Sequence, residues 1–207
     1  MEVESRLEVG GRKSEMTRQR LLLAAHHRFR AHGYAATTAA AIAEDAGVTE
    51  RTFFRYFPAK ADVLVNDWQV RRRLLKGVLA TSDAPELLDV ARVAMHEFTD
   101  DVRTSIETGR DSILRVFNER DASSAVLEVL LEAEHDLAME LSRRAGRSSE
   151  DFQVRMAAYA TVGVFRAALR AVVSLGMASY LTALVDDGME RLRPLYAGLD
   201  QASPRPV

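Results

Sequence analysis

Apolar side chains recur along this chain at helical intervals, and the first clear run is Leu22, Ala25 and Phe29 at i, i+3 and i+7. Ser14 or Thr17 stands where a cap opens that helix, and Gly33 stands at its C′ position. Thr37 and Thr38 then cap a short helix over 39–46, with Ile42 and Ala43 inward. Gly47-Val48 forms a tight turn, Thr49 caps a third helix through Tyr56, and Phe57-Pro58 ends it because proline disfavours helix at the residue before it. The pattern predicts further helices over roughly 59–80, 85–104, 110–120, 124–145, 150–176 and 178–197, with breaks at 82–85, 109, 121–123, 146–149 and 176. No run alternates with period 2 between hairpin turns. The expectation is an all-α chain of about nine helices. It divides into a flexible arm (1–13), a three-helix head with a helix-turn-helix (14–60), a helical regulatory and dimerisation body (61–199) and an unstructured tail (200–207).

Composition narrows the class. At 47% hydrophobic and 28% charged residues the chain buries a core and is not compositionally disordered. Zero cysteines exclude disulfides, thiolate metal sites and a cysteine nucleophile, and fit a reducing cytoplasm. The charged start MEVESRLEVGGRKSE is no signal peptide, and Arg166 and Arg170 interrupt the longest apolar region, so no membrane span is expected. The net charge of −2 hides an asymmetry: residues 1–76 carry 14 Lys and Arg against 9 Asp and Glu, while the rest carry 14 against 21. Any polyanion contact is therefore expected at the N-terminal end.

The segment 38–56 is helix, short glycine turn, helix. In such units the second helix enters the DNA major groove while the first crosses the backbone. On a wheel of the third helix Phe53 and Phe57 point inward, and Arg51, Thr52, Phe54 and Arg55 point outward. Arginine bonds a guanine edge bidentately, and threonine reaches bases or a thymine methyl. Glu50 suits the helix dipole and is placed to restrain Arg51. Taken alone, two outward arginines are as compatible with an ordinary solvated face.

The longer string TRQRLLLAAHHRFRAHGYAATTAAAIAEDAGVTERTFFRYFPAKADVL, residues 17–64, closely resembles the DNA-binding domain of the TetR family. The resemblance rests on the His32-Gly33-Tyr34 turn, the threonine pair, Ala46-Gly47-Val48 and the block from Thr52 to Lys60, and covers about a quarter of the chain. It implies a DNA-binding role for Thr38 on a phosphate and for Thr49, Arg51, Thr52 and Arg55 on bases or adjacent phosphates. It further implies Tyr56 on the backbone and Lys60 neutralising a phosphate. Position 54, commonly tyrosine in that family, is Phe54, so it offers no hydroxyl to a phosphate and only apolar contact with a thymine methyl or sugar. The arm's Arg6, Arg12 and Lys13 are placed to follow a groove, or belong to a disordered terminus.

Residues 152–175 are apolar almost all round, with Ala160, Gly163, Ala167 and Ala171 as a small-residue stripe. A following helix carries Tyr180, Leu184, Met189, Leu192 and Leu195. The resemblance implies a homodimer through the last two helices, reading a twofold, palindromic double-stranded DNA operator, and an unknown small-molecule effector held in the body. Trp68, Phe98, Phe117, Leu131, His135 and Phe165 are the ligand-lining candidates, with Arg166 and Arg170 as anion partners, and the apolar bias suggests a lipophilic or acyl-type effector. No cofactor is called for. The expected function is a cytoplasmic, sequence-specific repressor released by its effector; an activator or an effector-independent DNA binder is the alternative. A helical-bundle metalloenzyme is remote, because Glu132-x-x-His135 is the single Glu-x-x-His spacing and di-iron bundles need two.

Overall fold

A computed structural model describes residues 2–107 and 120–199, with the side chains of 2–12 and 120–125 excepted. Every described element is helical. The chain forms α1 (Glu2–His32), α2 (Ala39–Asp45), α3 (Glu50–Tyr56), α4 (Ala61–Thr81), α5 (Leu87–Glu107), α6 (Arg120–Ala145), α7 (Phe152–Leu175), α8 (Leu181–Arg191) and α9 (Arg193–Ala197), with a 3-10 turn at Ala178–Tyr180. The described residues divide into two compact units at Asn66/Asp67 and again at Ala125/Val126. The first division lies inside α4, several residues beyond the expected head boundary at 60.

In the first unit, Leu21, Ala25 and Phe29 of α1 are fully buried at i, i+4 and i+8, the spacing that keeps one helical face inward. Leu22 is buried beside them, whereas Leu23 points to solvent. The helix begins at Glu2, so the backbone of the segment expected as a flexible arm is helical, upstream of the start expected at Ser14 or Thr17. Gly33 ends α1 at φ 87°, a left-handed conformation that costs glycine nothing, and its N–H reaches the Phe29 carbonyl at 3.0 Å. Ile42, Ala43, Ala46, Phe53, Phe57, Val63 and Leu64 complete the buried set. Arg28 joins α1 to α2 by donating from Nε and Nη2 to the two Asp45 carboxylate oxygens, both at 2.6 Å. That pairing holds the Asp45 carboxyl below its usual range.

In the second unit, α7 supplies the central face: Val154, Ala157, Ala158, Thr161, Val162, Phe165, Ala168, Leu169 and Val172 are all buried. By length and composition alone α7 reaches the requirement for a membrane span. One side of it is buried in the unit, and it carries Arg155, Arg166 and Arg170. Gly188 of α8 permits a close approach: a Cβ there would overlap Val164 Cγ1 and stand 3.3 Å from Val164 Cβ. The Thr161 and Tyr196 hydroxyls bond at 2.7 Å inside the core, tying α7 to α9. Ion pairs bind the outer helices, Arg92 to Glu190 at 2.8 Å and Arg72 to Asp136 at 2.5 Å. The helix expected over 178–197 is three pieces; Pro194 marks the last break, occupying the first turn of α9, where its missing N–H has no helical partner to lose. The helix expected over 110–120 and the tail at 200–207 lie outside the described residues, apart from Arg120, which opens α6.

Candidate nucleic-acid interface

Two threonines set up the reading helix and the helix before it. Thr38 is the N-cap of α2, its hydroxyl accepting the Ala41 N–H at 3.1 Å, which leaves its own O–H free to donate outward. Thr49 caps α3 in the same way, accepting the Thr52 N–H at 3.2 Å, and its hydroxyl lies 3.0 Å from that of Thr52. Thr37, paired with Thr38 in the sequence-based cap, is instead buried and donates to the Gly33 carbonyl at 2.7 Å. Between the two helices Val48 N–H returns to the Ala43 carbonyl at 2.9 Å, and Gly47 takes φ 66°.

From that turn α3 presents two opposed faces. Phe53 and Phe57 are fully buried with ring centroids 5.7 Å apart. On the other side Arg51 and Arg55 are exposed, Thr52 is half-buried, and Phe54 is 47% exposed with its ring edge-on to Phe53 at 5.4 Å. Arg51 has no hydrogen bond or ion pair among the described residues, Glu50 included, so its five N–H donors are free for a base or phosphate. The Arg55 guanidinium lies 5.1 Å from the Tyr56 ring centre. The Tyr56 hydroxyl meets Ser14 at 3.2 Å, and this bond draws the phenol below its ordinary pKa. Lys13, Ser14, Thr17, Arg55 and Tyr56 line one polar groove beside the face. Ser14 and Thr17 were read from sequence only as helix caps; nothing in their spacing placed them against α3, which required the fold.

Lys60, expected on a phosphate, makes contacts within the head itself. Its ammonium donates to the carbonyls of Tyr34 at 2.6 Å and Thr37 at 2.9 Å, and lies 4.0 Å from the Tyr34 ring centre. It therefore fastens the turn that delivers Thr38.

A profile of the TetR family of bacterial regulatory proteins matches residues 21–66, the span that carries every element of this face. Residues 21–66 thus match the DNA-binding region of TetR-family regulators. This chain is 28% identical over 157 residues, covering 74% of the chain and 78% of its relative, to MftR of Mycobacterium tuberculosis, named for transcriptional regulation of mycofactocin biosynthesis. Two solved regulators share its fold. One is Thermus thermophilus FadR, in complex with lauroyl-CoA, at 23% identity, TM-score 0.60 and coverage of 92% of this chain and 99% of that one. The other is Bacillus halodurans FadR, a fatty acid degradation regulator, at 21% identity, TM-score 0.62 and coverage of 90% and 97%.

The candidates in the body separate into two groups. Trp68, Phe98 and Phe165 are buried and meet as one cluster, with ring centroids 6.0, 6.2 and 4.9 Å apart. Leu131, 52% exposed, and His135 do not join them; both stand on the outer side of α6, whose Leu130, Ala133, Leu137 and Leu141 take the buried stripe. Arg166 and Arg170 are exposed on α7, on the side opposite its buried residues. Phe117 lies outside the described residues. Glu132 of the Glu-x-x-His pair accepts from Arg72 at 2.6 Å and Gln69 at 2.9 Å. Beside Phe98 and Phe165 an apolar cavity lined also by Leu75, Met95, Leu130, Ala133 and Val162 measures ≈ 10 Å³, room for about one water.

Proposed function

We propose that this chain is a homodimeric repressor whose two reading heads occupy a palindromic operator in the cytoplasm, and that an acyl thioester releases it. One observation carries the DNA reading: Arg51, Phe54 and Arg55 stand outward from α3 while Phe53 and Phe57 seal its inner side. In this proposal Arg51 and Arg55 read bases, and Thr52 and Phe54 add a hydroxyl and an apolar contact. Thr38, Thr49 and Tyr56 bind phosphates and fix register. Lys60 acts indirectly, through the turn before Thr38.

The twofold pairing is supported by the outer side of α7. No heavy atom lies within 4 Å of a Cβ built on Gly163, and Met156, Tyr159, Ala167 and Arg170 are exposed on that side. A small-residue strip between larger apolar side chains admits close approach of an identical helix, and a twofold axis makes one patch serve both subunits. Leu184 and Tyr180, 39% and 55% exposed, extend the apolar surface toward α8.

The effector class follows the lauroyl-CoA of the Thermus thermophilus repressor together with the buried aromatic cluster of this chain. The cavity beside that cluster is far smaller than an acyl chain, so occupancy requires the rings to part. A ligand that binds only the opened body shifts the equilibrium by its differential affinity, which is what release from an operator needs. The test uses full-length protein to select genomic fragments, followed by addition of lauroyl-CoA. Enrichment of a twofold sequence and its release by the thioester are expected. No enriched sequence overturns the DNA reading; enrichment without release favours the effector-independent binder.

A further inference from the structure

Among the described residues of the body, Arg71 of α4 is a buried guanidinium with work left undone. The residue is 5% exposed. Its Nε donates to Asp101 Oδ2 at 2.7 Å and its Nη2 to Ser105 Oγ at 2.8 Å, both from α5. Its Cζ lies 5.6 Å from the Trp68 ring centre, so the head group borders the Trp68–Phe98–Phe165 cluster. Nη1 is fully buried and has no hydrogen-bond partner. Burying such a donor unpaired is costly, and folded proteins leave few of them.

We infer that Arg71 Nη1 recognises the carbonyl oxygen of the effector's acyl group. The inference rests on the effector proposed above and names the residue that selects it. The acceptor must come from outside the described chain and must be uncharged. Asp101, itself 46% exposed, already pairs with the guanidinium, so a carboxylate brought to the buried Nη1 would give up its own water to meet a charge already matched. A carbonyl oxygen accepts the Nη1 hydrogens without adding charge. The adjoining aromatic side chains accept the apolar tail once they part. The ligand is thus a lipophilic thioester, ester or amide rather than a free fatty acid. Arg71 stands in a run of three arginines, 71–73, whose charge alone does not separate a buried guanidinium from a solvated one.

Trp68 is the chain's one tryptophan, which makes its fluorescence a local reporter. Wild-type protein is titrated with lauroyl-CoA and with S-dodecyl-CoA, the thioether that lacks only the carbonyl oxygen, and methyl laurate is compared with laurate. The expected result is thioester binding about tenfold tighter than thioether, and methyl ester tighter than carboxylate. Arg71→Met should bring thioester and thioether to equal affinity, with helicity checked by circular dichroism. Equal thioester and thioether affinities in the wild type would mean that Nη1 is served by a water, and would overturn the inference whether or not the variant folds; so would tighter laurate. If lauroyl-CoA releases DNA yet the two affinities are equal, the effector proposal stands and Arg71 alone falls. If none of the probes changes Trp68 emission, both fall.

Discussion

Replacing Lys60 by methionine separates two roles that sequence resemblance merges. The substitution keeps the unbranched stem and removes only the ammonium, leaving the Tyr34 and Thr37 carbonyls without their 2.6 and 2.9 Å donors. A hydrogen bond from a charged donor contributes about 1.5–3 kcal/mol, and a cation over a ring about 0.5–1 kcal/mol at an exposed site. Lys60 is half-buried, so water replaces part of both. The expected loss is about 2 kcal/mol, read as a lower urea midpoint. The DNA assay discriminates further. A lysine that neutralises a phosphate adds about 0.9 to the slope of log affinity against log salt. A lysine committed to two carbonyls adds nothing, and its loss weakens binding through a looser Thr38 with the slope unchanged. Fluorescence anisotropy with the selected operator at several salt concentrations measures this. A slope reduced by about one, with stability unaltered, would refute the role assigned here.

Four more substitutions probe the body. Gly163→Phe should turn the proposed dimer into monomer in analytical ultracentrifugation without loss of helicity; a dimeric variant contradicts the assigned face. Gly188→Ala places a methyl against the β-branched, torsionally stiff Val164, so overpacking of about 1–3 kcal/mol outweighs the roughly 1 kcal/mol gain in helix propensity. Val164→Ala should restore stability in the double variant, and an unaided gain from Gly188→Ala would show that α7 and α8 are not so close. Glu190 is held at about 2 by hydrogen bonds from Arg193 first and Arg92 second. Its folded pKa is depressed, so its contribution is complete above the ordinary value near 4.5 and is lost as pH falls toward about 2. Glu190→Gln should flatten the stability–pH curve in that window, and an unchanged curve would dismiss the pairing.

The head was legible because its chemistry is local. Thr38, Gly47 and Thr49 announce caps and a turn within a few residues, and Phe53 with Phe57 fix which side of α3 faces inward. The role of Lys60 was not legible. Its partners lie 23 and 26 residues away, and a positive charge opening a helix looks the same whether it faces phosphate or carbonyl. In the body, Trp68, Phe98 and Phe165, expected to line a ligand site, are buried together, as large apolar rings rarely stay in water. Leu131 and His135 stand apart from that cluster: α6 carries apolar residues on more than one side, including exposed Leu127 and Met139, and helical period alone does not say which stripe turns inward. Arg71 was invisible for the opposite reason: charge normally marks a surface, and only the packing of α4 on α5 buries it.

The account depends most on the outward side of α3. Arg51→Ala with Arg55→Ala removes two guanidinium groups that touch none of the head's core, so the variant should keep its fold and its oligomeric state. Each bidentate contact to a guanine edge discriminates by about 1–3 kcal/mol, so the ratio of operator to random-DNA affinity should fall by roughly two to four orders of magnitude. A double variant that still prefers the operator by the wild-type ratio would contradict the claim that this face reads sequence.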